Sequence, residues 1–147
     1  MTVNGQRLSH IAPRVPNLAR AKAFYTEVLG CALVRAAPPL VLVNGDGILL
    51  GMRGDQAETP RGDRFNPYRV GLDHLALPAR HCGALDGLKN TRDAAGVRQN
   101  GSEQDALTNA SYSSCYDPDG SAWEFSVVDM TQGDRWGPGC ADGWKQS

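Results

Sequence analysis

The chain has no apolar run approaching the roughly 18 residues that a membrane-spanning helix needs, and Met1-Thr2-Val3-Asn4-Gly5-Gln6-Arg7 carries no signal-peptide core. A soluble, cytoplasmic protein with no membrane partner is therefore expected. It also lacks an excess of charge of either sign, with fifteen Lys and Arg against sixteen Asp and Glu, a net charge of −1. No basic stripe is present to track a phosphate backbone, which excludes nucleic acid as a partner on electrostatic grounds. Its four cysteines, Cys31, Cys82, Cys115 and Cys140, contain no C-x-x-C pair. Reduced thiols packing as small hydrophobes are expected, rather than a zinc knuckle or a disulfide framework. The Asn109-Ala110-Ser111 sequon has no secretory context, and Arg61-Gly62-Asp63 is a tripeptide expected by chance.

Among what the chain does contain, Asp117-Pro118-Asp119-Gly120 is the clearest local signal. Pro118 presets one turn dihedral, the aspartates bond nearby amides and Gly120 tolerates positive φ, so a hairpin is expected. In the strand that follows, Ser121 to Val128, Glu124 points away from Trp123 and Phe125. A glutamate in a strand faces solvent or has a partner.

A β-α-β-β-β pattern occurs twice. In the first half, Leu8 to Val15 reads as a strand ending near Pro13. Asn17 caps a helix carrying Leu18, Ala21, Phe24, Tyr25, Val28 and Leu29 at helical spacing before Gly30. Cys31–Arg35, Leu40–Val43 and Ile48–Met52 read as three strands, punctuated by Pro38-Pro39 and by Asn44-Gly45-Asp46-Gly47. In the second half, Arg69–Pro78 reads as a strand and Arg80–Ala95 as a helix weakened by Gly83 and Gly87. Val97–Gln99 reads as a short strand, Asn100–Asn109 as a polar loop, and Ala110–Tyr116 and Ser121–Val128 as the last two strands.

The organisation expected is one α+β domain over residues 1–147, with module one at about 7–53, a linker at 54–68, module two at about 69–129 and a tail at 130–147. His10 and His74 occupy the same point of the opening strand in each half. Aligning the hairpin turns at Asp46-Gly47 and Asp119-Gly120 sets Glu124 against Gly51.

With His10, the Phe24-Tyr25…Leu29-Gly30 helix ending, Gly71-Leu72-Asp73-His74-Leu75-Ala76 and Asp117-Pro118-Asp119-Gly120…Glu124, the chain resembles the vicinal oxygen chelate superfamily. That group includes glyoxalase I, extradiol dioxygenases, fosfomycin-modifying enzymes and bleomycin-resistance proteins. The resemblance implies two β-α-β-β-β modules paired into an incomplete barrel, with a divalent metal in the cavity held by His10, His74 and Glu124. The fourth ligand of glyoxalase I would fall near Gly51, where no hard-metal ligand stands.

Two imidazoles and one carboxylate leave about three of six octahedral positions open, which favours Fe(II) and is compatible with Mn, Ni, Co or Zn. A small oxygenated substrate could chelate there, and Gly51 would give it room. Alone, each histidine reads as an ordinary strand residue and Glu124 as solvent-facing; their coincidence at equivalent places carries the metal reading. His81, at a helix start, is expected at the surface.

Tyr112 and Tyr116 share a strand face and are candidates for acid–base work, or equally for cross-strand packing. Phe65 and Trp123 are candidates to line the substrate pocket, or to fill core, and Arg53 and Arg69 to meet an anion. The tail Trp136–Trp144 either folds over the cavity mouth or a subunit interface, or is a loosely docked end.

The function expected is a metal-dependent enzyme of the glyoxalase or dioxygenase type, working by oxygen insertion or by lyase or isomerase chemistry. The alternative is a resistance protein, either a fosfomycin-type transferase or a bleomycin-resistance-like sequestering protein. The missing fourth carboxylate disfavours glyoxalase I itself. A homodimer is compatible with exposed edge strands and common among such proteins.

Overall fold

The computed structural model describes residues 8–79, 81–106 and 110–127. The chain falls into two compact units, Met1–Asp63 and Arg64–Ser147. The glycine- and tryptophan-rich tail, Cys140 and Asn109 of the sequon lie outside the described residues.

The first unit runs β1 (His10–Ile11), α1 (Leu18–Ala23), β2 (Ala32–Ala37), β3 (Leu40–Gly45) and β4 (Ile48–Arg53). Its sheet has the order β1-β4-β3-β2, with β1 parallel to β4 and the remaining pairs antiparallel. Asn17 caps α1 as expected, its Oδ1 accepting from the Arg20 amide at 2.9 Å, an arrangement that contributes about 1 kcal/mol. After Ala23 the helix widens into a π-helical turn, Phe24–Val28, and ends at Gly30 with φ of 70°. Ala21, Phe24 and Tyr25 are buried, as are Val41, Val43, Leu50 and Met52 on one face of the sheet. Helix α1 lies against β3 and β4. The alternation along β3 and β4 therefore separates this core face from the face that carries Leu40, Leu42, Leu49 and Gly51. A two-residue turn joins β3 to β4, with Asp46 and Gly47 both at positive φ and the Asn44 side chain accepting from the Gly47 amide.

The second unit repeats the plan with β5 (Leu75–Pro78), α2 (Cys82–Ala94), β6 (Gln99–Gln104), β7 (Ser111–Tyr116) and β8 (Ala122–Val127). The order is β5-β8-β7-β6, again with the opening strand parallel to the closing one. Two such modules with an α+β composition are the architecture the sequence leads one to expect. His81 caps α2, its Nδ1 accepting from the Ala84 amide at 3.2 Å, and its ring is exposed.

Three expectations need correction. The opening strands are shorter than the apolar runs suggest: β1 is continuous only over His10–Ile11, with the pairing resuming in register at Arg14, and His74 falls just before β5 rather than inside it. The short strand expected at Val97–Gln99 instead spans Gln99–Gln104 as β6, taking in residues 100–104 where a polar loop was expected. The run Gln99-Asn100-Gly101-Ser102-Glu103-Gln104 has no β-branched or aromatic residue, yet it pairs with β7 along its length. The helix expected in this region is present as α2, with Gly83 and Gly87 inside it. Cys82 is disulfide-bonded, whereas Cys31 and Cys115 are free and buried, so the four thiols are not all reduced.

The core of the second unit lies between α2 and one face of the sheet. Leu77, Leu85, Cys115, Trp123 and Phe125 are buried there, and so is Arg92. The Arg92 guanidinium donates to the Leu88 carbonyl at 2.9 Å and to Ser113 Oγ at 2.8 Å, and it lies 5.3 Å from the Phe125 ring centroid. Small residues at 111, 113 and 115 of β7 leave the space this long side chain occupies. Burial pushes the Cys115 thiol pKa up, against the opposing pull of the Arg92 cation. No helix among the described residues is long and apolar enough to cross a membrane.

Candidate metal centre

Glu124 is aimed by the turn that precedes it. Asp117 Oδ1 accepts from the amides of Asp119 at 2.9 Å and Ser121 at 2.8 Å, while the Gly120 amide bonds the Asp117 carbonyl at 3.0 Å. Gly120 adopts φ of 88°, so the Asp-Pro-Asp-Gly segment closes as its residue types dictate. The strand it launches places Trp123 and Phe125 in the core and Glu124 on the other face.

The register then decides Glu124's neighbours. Ala76 of β5 lies opposite it on one side and Ser114 of β7 on the other, with Asn100 of β6 beyond. One step along the same face stand Ser126, Tyr112 and Glu103. His74, just before β5, brings its Nε2 to 3.8 Å from Glu124 Oε2, and its Nδ1 is 2.6 Å from Asp73 Oδ1. The longer separation exceeds a hydrogen bond. It matches two donors of one ion, since groups about 2.0–2.2 Å from a shared metal sit about 3–4 Å apart. Nitrogen and carboxylate oxygen together suit a divalent transition metal.

In the first unit the same construction is repeated with one substitution. His10 lies opposite Leu49 and Ile11 opposite Leu50, and the Arg14–Arg53 bridge keeps that offset. Gly51 therefore falls opposite Ala12, as Glu124 falls opposite Ala76. A Cβ at Gly51 would make only ordinary contacts, at 3.6 and 3.8 Å from Leu40 and Leu42. His10 is exposed on β1, with Ser9 Oγ 3.0 Å from its Nδ1. Among the described residues no group of three His, Cys, Asp or Glu side chains stands ready to hold a metal ion. The pair brought together is His74 with Glu124.

The other candidates divide between the two faces. Tyr112 is on the Glu124 face, and its hydroxyl donates to Glu103 Oε2 at 2.8 Å. That bond, assisted by partial burial and by the charges of Glu103, Glu124 and Asp105, pushes its pKa up to about 12. Tyr116 is on the same face with its ring 3.9 Å below the Arg98 guanidinium, a stacking contact rather than a free phenol edge. Phe65 is half-buried, and its carbonyl lies beside the Gly120 turn. Trp123 is fully buried on the opposite face, between rows containing Leu75 and Cys115. Arg53 and Arg69 are exposed.

Glu103 is the residue sequence reasoning misses here, because it lay in a segment expected to be loop. Its proximity to Tyr112 carries a measurable consequence. Glu103→Gln is expected to bring the Tyr112 pKa back toward 10, read by ultraviolet titration of the phenolate. The raised pKa stabilises the fold fully below pH 10, and that contribution is lost as pH rises through about 12, since the folded state holds its proton longer than the unfolded one. Glu103→Gln should flatten this alkaline loss.

Solved structures of similar fold include a glyoxylase/bleomycin resistance protein/dioxygenase domain from Frankia sp. EAN1pec, at TM-score 0.69 and 22% identity, covering 84% of this chain and 98% of that one. A lactoylglutathione lyase from Agrobacterium tumefaciens matches at TM-score 0.67 and 23% identity, covering 84% and 95%. The fosfomycin resistance protein FosX from Listeria monocytogenes matches at TM-score 0.67 and 17% identity, covering 88% and 97%. At these identities the likeness is one of fold. No match is found among curated proteins. The family model described as the Glyoxalase/Bleomycin resistance protein/Dioxygenase superfamily matches residues 7–125, and the chain belongs to that superfamily.

Proposed function

We propose that this protein is a divalent-metal-dependent enzyme of the glyoxalase or dioxygenase type, acting on a small substrate that offers two adjacent oxygens. In this reading His10, His74 and Glu124 are the ligands. The observation that supports this reading best is the His74–Glu124 pair, an imidazole and a carboxylate set 3.8 Å apart on the sheet face opposite α2. When bound, the ion would supply Lewis acidity toward a carbonyl or hydroxyl oxygen, or, as Fe(II), redox chemistry with dioxygen.

The chain's own residues would do the remaining work. Glu103 holds the proton of Tyr112, so the phenol oxygen turns its lone pairs outward and accepts a hydrogen bond from a substrate hydroxyl. Ser114 and Asn100, in the row of Glu124, offer further polar contacts. Tyr116, stacked under Arg98, forms a flat wall, and Phe65 an apolar one. Gly51 leaves the corresponding place in module one without a side chain, which gives the substrate room. Trp123 supports the ligand strand from behind. The assembly is a homodimer in this reading; a cytoplasmic setting, expected from the sequence, has the Cys82 disulfide against it.

The test is metal identification in protein purified without chelators, combined with turnover on catechols, 2-oxoaldehydes and fosfomycin under air and under argon. About one divalent ion per chain with turnover on one of these classes is the expected result, and oxygen consumption would select the dioxygenase branch. A metal-free protein that binds a small molecule without changing it would replace the enzyme with a sequestering protein.

A further inference from the structure

Each module's histidine has its Nδ1 engaged by the side chain of the residue before it. In the first unit Ser9 Oγ is 3.0 Å from His10 Nδ1, and in the second Asp73 Oδ1 is 2.6 Å from His74 Nδ1. The same local device thus recurs at equivalent points of a repeat, with a hydroxyl in one copy and a carboxylate in the other. An ionised carboxylate only accepts hydrogen bonds, so the proton of neutral His74 must sit on Nδ1. That leaves a lone pair on Nε2, the nitrogen that stands 3.8 Å from Glu124 Oε2. A proton on Nε2 instead would leave two acceptors facing each other at Nδ1, at 2.6 Å.

We propose that Asp73 is a positioning residue that fixes His74 as the Nδ1-protonated tautomer and so presents Nε2 as a ligand. Ser9 performs the weaker equivalent task for His10. The inference rests on the metal reading above and deepens it. A carboxylate on the far nitrogen of a ligating imidazole orients the ring and raises its basicity. A serine hydroxyl both donates and accepts, so it orients His10 without dictating a tautomer. The two histidines are therefore unequal: His74 is the preset anchor, and His10 adopts its ligating form only when the ion arrives. Asp73 and His74 are 72% and 46% exposed along their side chains, so solvent competes for this bond in the free protein. The device therefore acts by biasing the ring, and its effect should be read in binding as well as in structure.

The experiment uses the full chain stripped of metal by chelation, with Co(II) as the probe. Asp73→Ala is expected to weaken Co(II) binding about 10- to 100-fold, with Ser9→Ala costing less. Asp73→Asn keeps an acceptor for Nδ1–H and should recover most of the affinity. Nitrogen-15 spectra of the metal-free protein should show the His74 proton on Nδ1, moving to Nε2 in Asp73→Ala. Full Co(II) affinity in Asp73→Ala, or an Nε2-protonated His74 in the wild-type protein, would overturn the proposal. If the wild-type protein binds no Co(II) at all, it is the metal reading that fails, and the nitrogen spectra still decide the role of Asp73.

Discussion

Replacing His74 by alanine is expected to leave the purified protein without its divalent ion. The substitution removes a nitrogen donor that the structure sets 3.8 Å from the carboxylate of Glu124. Removing a residue that merely orients a ligand costs about 10- to 100-fold in affinity, and removing the ligand itself should cost more. Elemental analysis of purified protein and Co(II) titration of the stripped chain both read the loss directly. Glu124→Ala should behave in the same way, because it removes the charge that offsets the cation. His81→Ala is the informative control. That histidine caps α2 through the Ala84 amide and belongs to no site, so its replacement should cost about 1 kcal/mol of stability and leave metal content intact. Normal metal content in His74→Ala would remove the foundation of the proposed function.

The second large effect is on stability. Trp123→Ala is expected to destabilise the protein by about 3–5 kcal/mol, because it opens a large cavity beneath the closing strand. Trp123 is completely buried, as are Cys115 in its row and Leu85 of α2, and little can collapse into the space. Against a total of about 5–15 kcal/mol for a typical domain, this is a large fraction. Urea or thermal unfolding measures it. Because Trp123 faces away from Glu124, the folded fraction of the variant should take up metal as the wild type does. An unchanged stability together with lost substrate binding would instead return Trp123 to the wall of the site.

Much of the architecture is legible in the sequence because its determinants are local. Asn17, Gly30, Asp46-Gly47 and Asp117 to Gly120 each force a cap or a turn by residue type alone. The pairing of Gly51 with Glu124 across the repeat follows from aligning those turns, and the strand offsets carry the same correspondence. The parts that escaped depend on partners distant in the chain. Residues 99–104 become a strand only because Ser111 to Tyr116 offers them a ladder. The role of Glu103 is visible only beside Tyr112. The burial of Arg92 likewise depends on the small side chains of β7, which lie far from it in the chain. Asp73 stands next to His74 in the sequence, but adjacency does not reveal that the carboxylate turns back onto the ring.

The outer strands of the two sheets share a further property. The β2–β3 ladder shifts register between Leu33 and Arg35, and the β6–β7 ladder does so between Asn100 and Ser102. At the other border of each sheet, β1 has two residues and is soon followed by Pro13, while β5 has four and ends at Pro78. Bulged, brief and proline-flanked borders are poor templates for a foreign strand. Among the described residues, β2 is the exception to this pattern in length and character, being six residues long with Leu33 and Val34 exposed, so its bulge is what interrupts that edge. Strand pairing between copies, where it occurs, is therefore best accommodated at β2 and least at β1 and β5.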